Sequence, residues 1–152
     1  MKSDNPAKHF AIAFLLAVVI YALAYTGIEH RRTRKGPWEI IFTNSAAQTP
    51  LIAVNQTSLG ISNVQILFPN QLASNLSSTR LRFHQPKPVP YDLPFGQCIF
   101  MDTTFLPGTL TLRMFGHEIE LLPRTLIIDH LEHSWRSGEA LELNPVPPAT
   151  RP

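Results

Sequence analysis

The stretch "GTLTLRMFGHEIELL", residues 108–122, carries the pattern that decides the fold. Apolar and polar residues alternate on both sides of Gly116-His117, as they do in two antiparallel strands that each bury one face. If Gly116-His117 is the loop, its first residue is glycine, which is typical of the type II′ turns that match the twist of paired strands. The segment therefore predicts a β-hairpin.

The register of this hairpin follows by counting outward from its loop. Leu112 then faces Leu121 on the apolar side, and Arg113 faces Glu120 on the polar side. A slip by one residue would turn every side chain to the other face, so the pairing is strongly specified. We therefore predict an ion pair between Arg113 and Glu120 on the solvent-exposed face.

Short β-rich runs separated by turn residues fill the rest of the chain after the first 36 residues. They are WEIIFTN (38–44), PLIAV (50–54), ISNVQILF (61–68), TRLRFH (79–84), QCIFM (97–101), GTLTLRMF (108–115), EIELL (118–122), TLIID (125–129) and EALEL (139–143). Many short strands at this spacing are typical of antiparallel sandwiches and small barrels. We predict an all-β domain over residues 37–144, with a small antiparallel β-sandwich-like or partly open barrel architecture.

Two proline-rich segments stand outside this pattern. Residues 84–94, HQPKPVPYDLP, contain prolines that a central strand excludes, because proline lacks the N–H that pairs with a neighbouring strand. We expect this segment to cross the surface as an extended, polyproline-like connection. Residues 145–152 are predicted to form a disordered, proline-rich tail.

The N-terminal part of the chain has the composition of a membrane span. Residues 10–28, FAIAFLLAVVIYALAYTGI, contain no charge and as a helix would reach roughly 28 Å, close to the hydrocarbon thickness of a bilayer. We predict a short tail over residues 1–9, a transmembrane helix over 10–28 and a basic juxtamembrane linker over 29–36. A cleavable signal peptide is the alternative, since Ala22 and Ala24 satisfy its small-x-small rule.

Charge divides unevenly between the two parts of the chain. Six Lys or Arg against two Asp or Glu give +4 for residues 1–35, and seven against nine give −2 for residues 36–152. Nucleic-acid binding requires a basic footprint on the domain itself, so we do not expect it. The basic residues that follow the predicted span are Arg31, Arg32, Arg34 and Lys35. Because Lys and Arg lie on both sides of the span, the positive-inside rule does not decide its orientation. A short leading tail followed by a domain favours the extracytoplasmic side for the domain.

Three histidines, His117, His130 and His133, lie among carboxylates near the C-terminus. Imidazole and carboxylate are ligands that zinc, iron or manganese accept, so a metal-dependent enzyme is one hypothesis. His130 and His133 would share one face of a helix but would point to opposite faces of a strand. The β-branched residues of 125–128 favour a strand followed by a turn, which would separate the imidazoles. We therefore expect no metal site.

Other kinds of site have less support. One cysteine, Cys98, lies in an apolar run and is expected to be a buried, unreactive thiol. The chain contains no G-x-S-x-G elbow, P-loop or G-x-G-x-x-G loop, and no motif ties it to a named family. A ligand- or carbohydrate-binding sandwich would need exposed aromatic residues in a cleft, for which the candidates are Trp38, Trp135, Tyr91 and Phe95.

These observations lead to one functional hypothesis and two alternatives. We expect a single-pass membrane protein whose β domain is a non-enzymatic accessory or protein-interaction module, without a cofactor. Its expected partners are the lipid bilayer and another membrane or envelope protein, because a short linker restricts the domain to its surroundings and an open edge strand can pair with a neighbour. The ligand-binding sandwich and the metal-dependent enzyme are the alternatives.

Overall fold

A computed structural model describes residues 5–73 and 77–147 of the chain. The chain divides into two compact units, Met1–Arg34 and Lys35–Pro152. A helix makes up the described part of the first unit, and β-strands build the second, which we call the β unit.

The helix α1 spans Pro6–Thr33 and begins at a cap that its sequence provides. The Asn5 side chain accepts a hydrogen bond from the Ala7 amide at 3.2 Å, and Pro6 occupies the first turn, where a missing N–H costs nothing. The most apolar window of α1 has a mean hydropathy of 2.3. Among the described residues, α1 is thus the one helix long and apolar enough to cross a membrane.

α1 is longer than the predicted span 10–28 at both ends. Residues 29–33, which the sequence assigned to the linker, form its last turns, and Arg32 Nη2 lies 2.8 Å from Glu29 Oε1 across one of them. Of the predicted N-terminal tail, residues 1–4 lie outside the described residues, and the chain is helical from Pro6 onward.

Within residues 35–73 and 77–147, the β unit contains eleven strands and a short 3₁₀ helix. The strands are β1 (Trp38–Asn44), β2 (Pro50–Gln56), β3 (Ile61–Leu67), β4 (Thr79–Phe83), β5 (Tyr91–Leu93), β6 (Gly96–Asp102), β7 (Thr109–Met114), β8 (His117–Leu121), β9 (Leu126–Ile128), β10 (Leu131–His133) and β11 (Ala140–Glu142), and the 3₁₀ helix is Thr57–Leu59. Along β1 and β8 every second residue is buried, as expected for strands that turn one face to a core.

The strands form two sheets that are mostly antiparallel. The first has the strand order β11-β3-β2-β1-β4, in which β11 runs parallel to β3 and the other pairs are antiparallel. The second has the order β10-β9-β8-β7-β6-β5 and is antiparallel throughout its described strands. The prediction of an all-β unit that follows an apolar helix is therefore confirmed.

One cluster of buried side chains draws on both sheets. Ile52 of β2 and Leu112 of β7 belong to it, and each is fully buried. Burying a side chain of this size stabilises the folded state by about 1.5–3 kcal/mol. Aromatic rings continue through the cluster with centroid separations of 6.1, 5.8 and 5.0 Å along the series Phe42, Phe95, Phe115 and Phe68.

All of the strands predicted from the sequence occur, but two short strands were not predicted. β5 lies inside the proline-rich segment 84–94, and β10 lies where the sequence predicts a turn. Both are edge strands of the six-stranded sheet, so each needs only one neighbour. Residues 84–90 connect β4 to β5 without helix or strand, in agreement with the predicted connection.

The hairpin of β7 and β8 is present, but its predicted loop is wrong. The loop consists of Phe115 and Gly116, and His117 is the first residue of β8. Phe115 has a φ of 50° and Gly116 a φ of 86°. Positive φ at both positions is the type I′ pattern, which places glycine second in the loop.

The displaced loop changes the partner of Arg113. β7 and β8 pair Arg113 with Glu118, and Arg113 Nη2 lies 3.7 Å from Glu118 Oε2. The predicted ion pair between Arg113 and Glu120 is therefore wrong, and Glu120 lies opposite Thr111 instead. Because the pairing moves by an even number of residues, every side chain keeps its predicted face, and Leu112 is still fully buried.

Candidate functional site

The three histidines of the metal hypothesis occupy separate positions. His117 begins β8 and is buried, His130 lies exposed in the turn between β9 and β10, and His133 ends β10. His133 pairs with Leu126, which pairs with Leu121, four residues and roughly 13 Å along β8 from His117. In the described part of the chain, no group of three or more His, Cys, Asp or Glu side chains is arranged to hold a metal ion. The strand-and-turn interpretation of this segment is confirmed.

Both ring nitrogens of His117 are engaged inside the β unit. Nδ1 lies 2.6 Å from Asp129 Oδ2, and Nε2 lies 3.0 Å from the backbone oxygen of Asn144. The carboxylate and the carbonyl are both hydrogen-bond acceptors, so each ring nitrogen has a partner within the protein. The ring is 5% exposed and its centroid lies 6.2 Å from that of Phe68.

Asp129 holds this histidine from the turn between β9 and β10. Its second oxygen, Oδ1, accepts a hydrogen bond from the Glu118 amide, and the Asp129 amide donates to the Glu118 carbonyl, both at 2.9 Å. Burial raises the pKa of Asp129, but the hydrogen bonds from His117 and the Glu118 amide, with the charges of His117 and His130, bring that pKa below its ordinary value. Asp129 is therefore a charged acceptor near neutral pH.

The contacts of His117 connect parts of the chain that are far apart in sequence. They join the start of β8 to the β9–β10 turn and to Asn144, which follows β11. Beyond Asn144, the Val146 side chain lies 3.7 Å from where a Cβ on Gly116 would stand. His117 thus fixes the C-terminal segment to the hairpin. Residues 148–152 of the predicted tail lie outside the described residues.

A general base needs a ring nitrogen that can reach substrate, and here both ring nitrogens of His117 bind the protein itself.

Cys98 is fully buried in β6, as predicted. Burial raises the pKa of its thiol, and hydrogen bonds with Tyr91 and with the Phe100 backbone offset part of that rise. Burial also raises the pKa of the Tyr91 phenol, and its hydrogen bond with Cys98 raises that pKa further. A nucleophilic cysteine needs a lowered pKa and access to solvent, so Cys98 has the properties of a core residue.

The aromatic residues considered for a ligand cleft pack against the protein interior. Trp38 is fully buried, whereas Trp135, Tyr91 and Phe95 are partly buried against the core. The two indole rings lie 5.3 Å apart. Trp38 Nε1 donates to the Gly108 carbonyl at 3.1 Å, and Trp135 Nε1 donates to another backbone carbonyl at 2.9 Å. These residues therefore do not form a cleft of exposed aromatic rings.

A surface groove lies between the edges of the two sheets. β4 ends the five-stranded sheet and β5 ends the six-stranded sheet, and both strands line the groove. Its volume is about 300 Å³, and its apolar lining consists of Leu81, Phe83, Tyr91, Leu93 and Met101. These side chains belong to the core cluster or pack against it. In this groove, side chains of the core cluster are therefore accessible from the surface.

The rim of this groove has an excess of positive charge. Arg82, Lys87 and Asp92 line it. Arg82 Nε donates to Glu39 Oε2 at 2.8 Å, and Arg80 Nε lies 3.6 Å from the other oxygen of the same carboxylate. Glu39 is thus shared by two arginines. Three cations therefore face two carboxylates at the edge of a unit whose overall charge is weakly acidic.

A buried glutamine holds the segment that follows α1. Gln56 is 2% exposed, and its Nε2 lies 2.9 Å from the carbonyl oxygen of Lys35, 2.8 Å from that of Gly36 and 3.2 Å from that of Pro37. Its Oε1 accepts a hydrogen bond from the Ser58 amide at 2.8 Å. The first residues of the β unit are therefore fixed to the end of β2.

The four basic residues predicted beside the span are divided between the two units. Arg31 and Arg32 lie in the last turn of α1, Arg34 follows it, and Lys35 begins the β unit. Lys35 lines a polar depression together with Arg82 of β4. Part of the basic charge is thus carried by the surface of the β unit itself.

Sequence reasoning missed the groove and the partners of His117 and Gln56. Those partners are backbone carbonyls or residues on other strands, and no spacing rule in the sequence relates them. One feature of the sequence could have indicated the groove. The proline-rich connection 84–90 separates two apolar runs, and its prolines prevent it from covering a sheet edge through regular strand hydrogen bonds.

Comparison of the chain with protein-family models, with curated proteins and with solved structures gives no match. Function is therefore inferred from the residues of this chain alone.

Proposed function

We propose that the chain is a single-pass membrane protein whose β unit, sandwich-like in architecture, is a non-enzymatic interaction module that docks on another membrane or envelope protein. The observation that carries this proposal is the groove between β4 and β5. There the apolar core opens to the surface beside β4, which in the described part of the chain has a strand partner on one side only.

An extended segment of a partner protein suits this edge for three reasons. The outer backbone groups of β4 can pair with an added strand. Inward side chains of that strand would cover Leu81 and Leu93 and leave water, which favours binding. The excess positive charge of Arg82 and Lys87 favours acidic residues beside them. The partner segment is thus a strand that alternates apolar and acidic residues.

α1 supports a membrane location for this module. Its 28 residues would extend about 42 Å as a helix, enough to cross a bilayer. Arg34 alone separates the end of α1 from Lys35, whose carbonyl is bonded by Gln56. Such a short connection restricts the module to partners at the same membrane surface.

Site-specific photo-crosslinking in membranes of the source organism tests the docking surface. A photoreactive amino acid at Leu93, in the groove, should give one reproducible adduct with a membrane or envelope protein. The same amino acid at Glu120, which faces away from the core, should not give that adduct. Lys87→Glu should abolish the adduct by reversing the charge of the rim, whereas Arg124→Glu, at an exposed position on the β8–β9 turn, should retain it.

Two results would contradict the docking proposal. One is an adduct that forms equally well from Glu120. The other is a groove that gives no adduct although the full chain is present in the membrane fraction. Unchanged unfolding temperatures of Lys87→Glu and Arg124→Glu ensure that loss of an adduct reports on the surface and not on folding.

The proposed side of the membrane is the extracytoplasmic one. This proposal treats α1, with the β unit after it, as an anchor that also directs export of the unit that follows. Protease added to intact cells, with the outer layers of the envelope made permeable, should digest the β unit. Digestion only after the membrane that holds α1 is broken would place the β unit in the cytoplasm.

A further inference from the structure

Phe105 is exposed at the end of the β unit where the linker joins it. Its loop, residues 103–108, connects β6 to β7, and 60% of the Phe105 side chain is exposed. Trp38, the first residue of β1, donates from its indole nitrogen to the carbonyl of Gly108 at 3.1 Å. Because Pro37 immediately precedes Trp38, this loop lies at the same end of the unit as the linker residues.

The loop presents Phe105 outward from a fixed base. Thr103 and Leu106, on either side of the exposed segment, are 4% and 6% exposed. The Asp102 carboxylate accepts a hydrogen bond from the Thr104 amide at 2.9 Å, which shapes the start of the loop. A large aromatic side chain therefore stands in solvent between residues that are buried.

The chain length between α1 and this end of the unit is short. Residues 29–33 continue α1 beyond its uncharged segment by about 8 Å, which is comparable to a headgroup layer of roughly 5–7 Å. Arg34 then precedes Lys35, which Gln56 holds to the β unit. Lys35 and Arg82 line one depression at this end, and cations near a bilayer surface favour anionic lipids.

We propose that Phe105 enters the headgroup layer of the membrane that α1 crosses and forms a second lipid contact of this chain. The inference rests on the proposed membrane location of α1. Burying an aromatic ring at the interface removes apolar surface from water, and aromatic residues are enriched at that depth in membrane proteins.

A fluorescent label that responds to polarity tests this contact in the full chain. The label is attached to Phe105→Cys, to Leu131→Cys or to Ala17→Cys, after reconstitution into vesicles of phosphatidylcholine and phosphatidylglycerol that contain nitroxide lipids. Leu131 is 67% exposed and lies next to the turn at the other end of the sheet, roughly 20 Å away along β7. Ala17, in the middle of α1, reports whether the helix is in the membrane.

The expected result is a shift of emission to shorter wavelength and quenching by headgroup-depth nitroxide at position 105, with neither effect at position 131. If position 17 is quenched while position 105 behaves like position 131, the lipid contact is refuted and the anchor stands. If position 17 is not quenched, the anchor is refuted and the Phe105 contact with it.

Two controls keep this experiment decisive. Cys98 is fully buried, and the unsubstituted chain treated in parallel measures any label that it takes up under native conditions. Thr104→Cys, at an exposed position of the same loop, replaces Phe105→Cys if that variant fails to fold as judged by its unfolding temperature. Quenching at position 104 but not at position 131 then supports the contact, and equal behaviour of the two positions refutes it.

Discussion

His117 Nδ1 lies 2.6 Å from Asp129 Oδ2, although the two residues are 12 positions apart, His117 at the start of β8 and Asp129 in the turn between β9 and β10. An ionised carboxylate makes a stronger hydrogen bond than a neutral acceptor does, and the lowered pKa of Asp129 keeps that carboxylate charged. The other ring nitrogen binds the carbonyl of Asn144, a residue that lies beyond the last strand. One imidazole therefore bridges the β9–β10 turn and the segment that follows β11.

Replacing His117 by leucine should destabilise the β unit by on the order of 2 kcal/mol. The change removes the hydrogen bonds that the ring makes with the Asp129 carboxylate and the Asn144 carbonyl, and each such bond contributes about 0.5–1.5 kcal/mol net. Urea unfolding of the full chain in detergent, followed by tryptophan fluorescence, measures the difference. His130→Asn is the matched control, because His130 is exposed and asparagine tolerates its φ of 67°. Equal losses for the two variants would contradict a special role for His117.

Acid should weaken the β unit through Asp129. The pKa of Asp129 is lower in the folded chain than its ordinary value, so the unfolded chain takes up a proton more readily as the pH falls. The stabilisation is complete above the unfolded pKa of about 3.9 and is lost as the pH drops below it through the folded pKa. Asp129→Asn should lower stability at neutral pH and flatten this part of the pH profile. If the stability of Asp129→Asn falls with pH as steeply as that of the unsubstituted chain, other carboxylates cause the acid sensitivity.

The strands and their faces were predictable from the sequence because alternation of apolar residues is a local property. The loop of the hairpin was not, since both Gly116-His117 and Phe115-Gly116 allow a two-residue turn. The sequence favoured glycine in the first loop position, and the protein places it second. That choice buries His117 at the start of β8, where its neighbour Phe68 and its two acceptors surround it.

The candidate sites were less predictable than the fold because they depend on contacts between sheets. The groove exists only because β4 and β5 end their respective sheets, and strand order cannot be read from a list of strands. In the sequence, Gln56 follows the predicted strand 50–54 and is one of several polar residues there. Its role comes from backbone carbonyls about twenty residues earlier, which carry no mark in the sequence.

Gln56→Glu should destabilise the β unit by on the order of 3 kcal/mol near neutral pH. The shape of the side chain is kept, but a buried carboxylate would face the carbonyl oxygens of Lys35, Gly36 and Pro37, which repel it. Because the protonated acid can donate one hydrogen bond, the loss should shrink as the pH is lowered from about 7 to about 5. Thermal unfolding of the full chain at both pH values measures this. Gln85→Glu makes the same chemical change at an exposed position and should leave the unfolding temperature nearly unchanged. A small, pH-independent effect of Gln56→Glu would show that the linker residues are not held as described.

Gly108→Ala should cost more stability than Gly138→Ala, although both glycines have similar backbone angles. Their φ values are 71° and 77°, so each substitution introduces left-handed strain of about 1–2 kcal/mol. A Cβ at Gly138 meets nothing within 4 Å, whereas a Cβ at Gly108 overlaps the backbone carbonyl of Asp102. The backbone of the Phe105 loop must therefore move in Gly108→Ala, and we expect a further loss of about 1–3 kcal/mol. Urea unfolding of the two variants, each compared with the unsubstituted chain, separates the overlap from the shared strain. Equal losses would mean that Gly108 does not lie close against the Asp102 carbonyl. The loop would then not hold Phe105 in a fixed position.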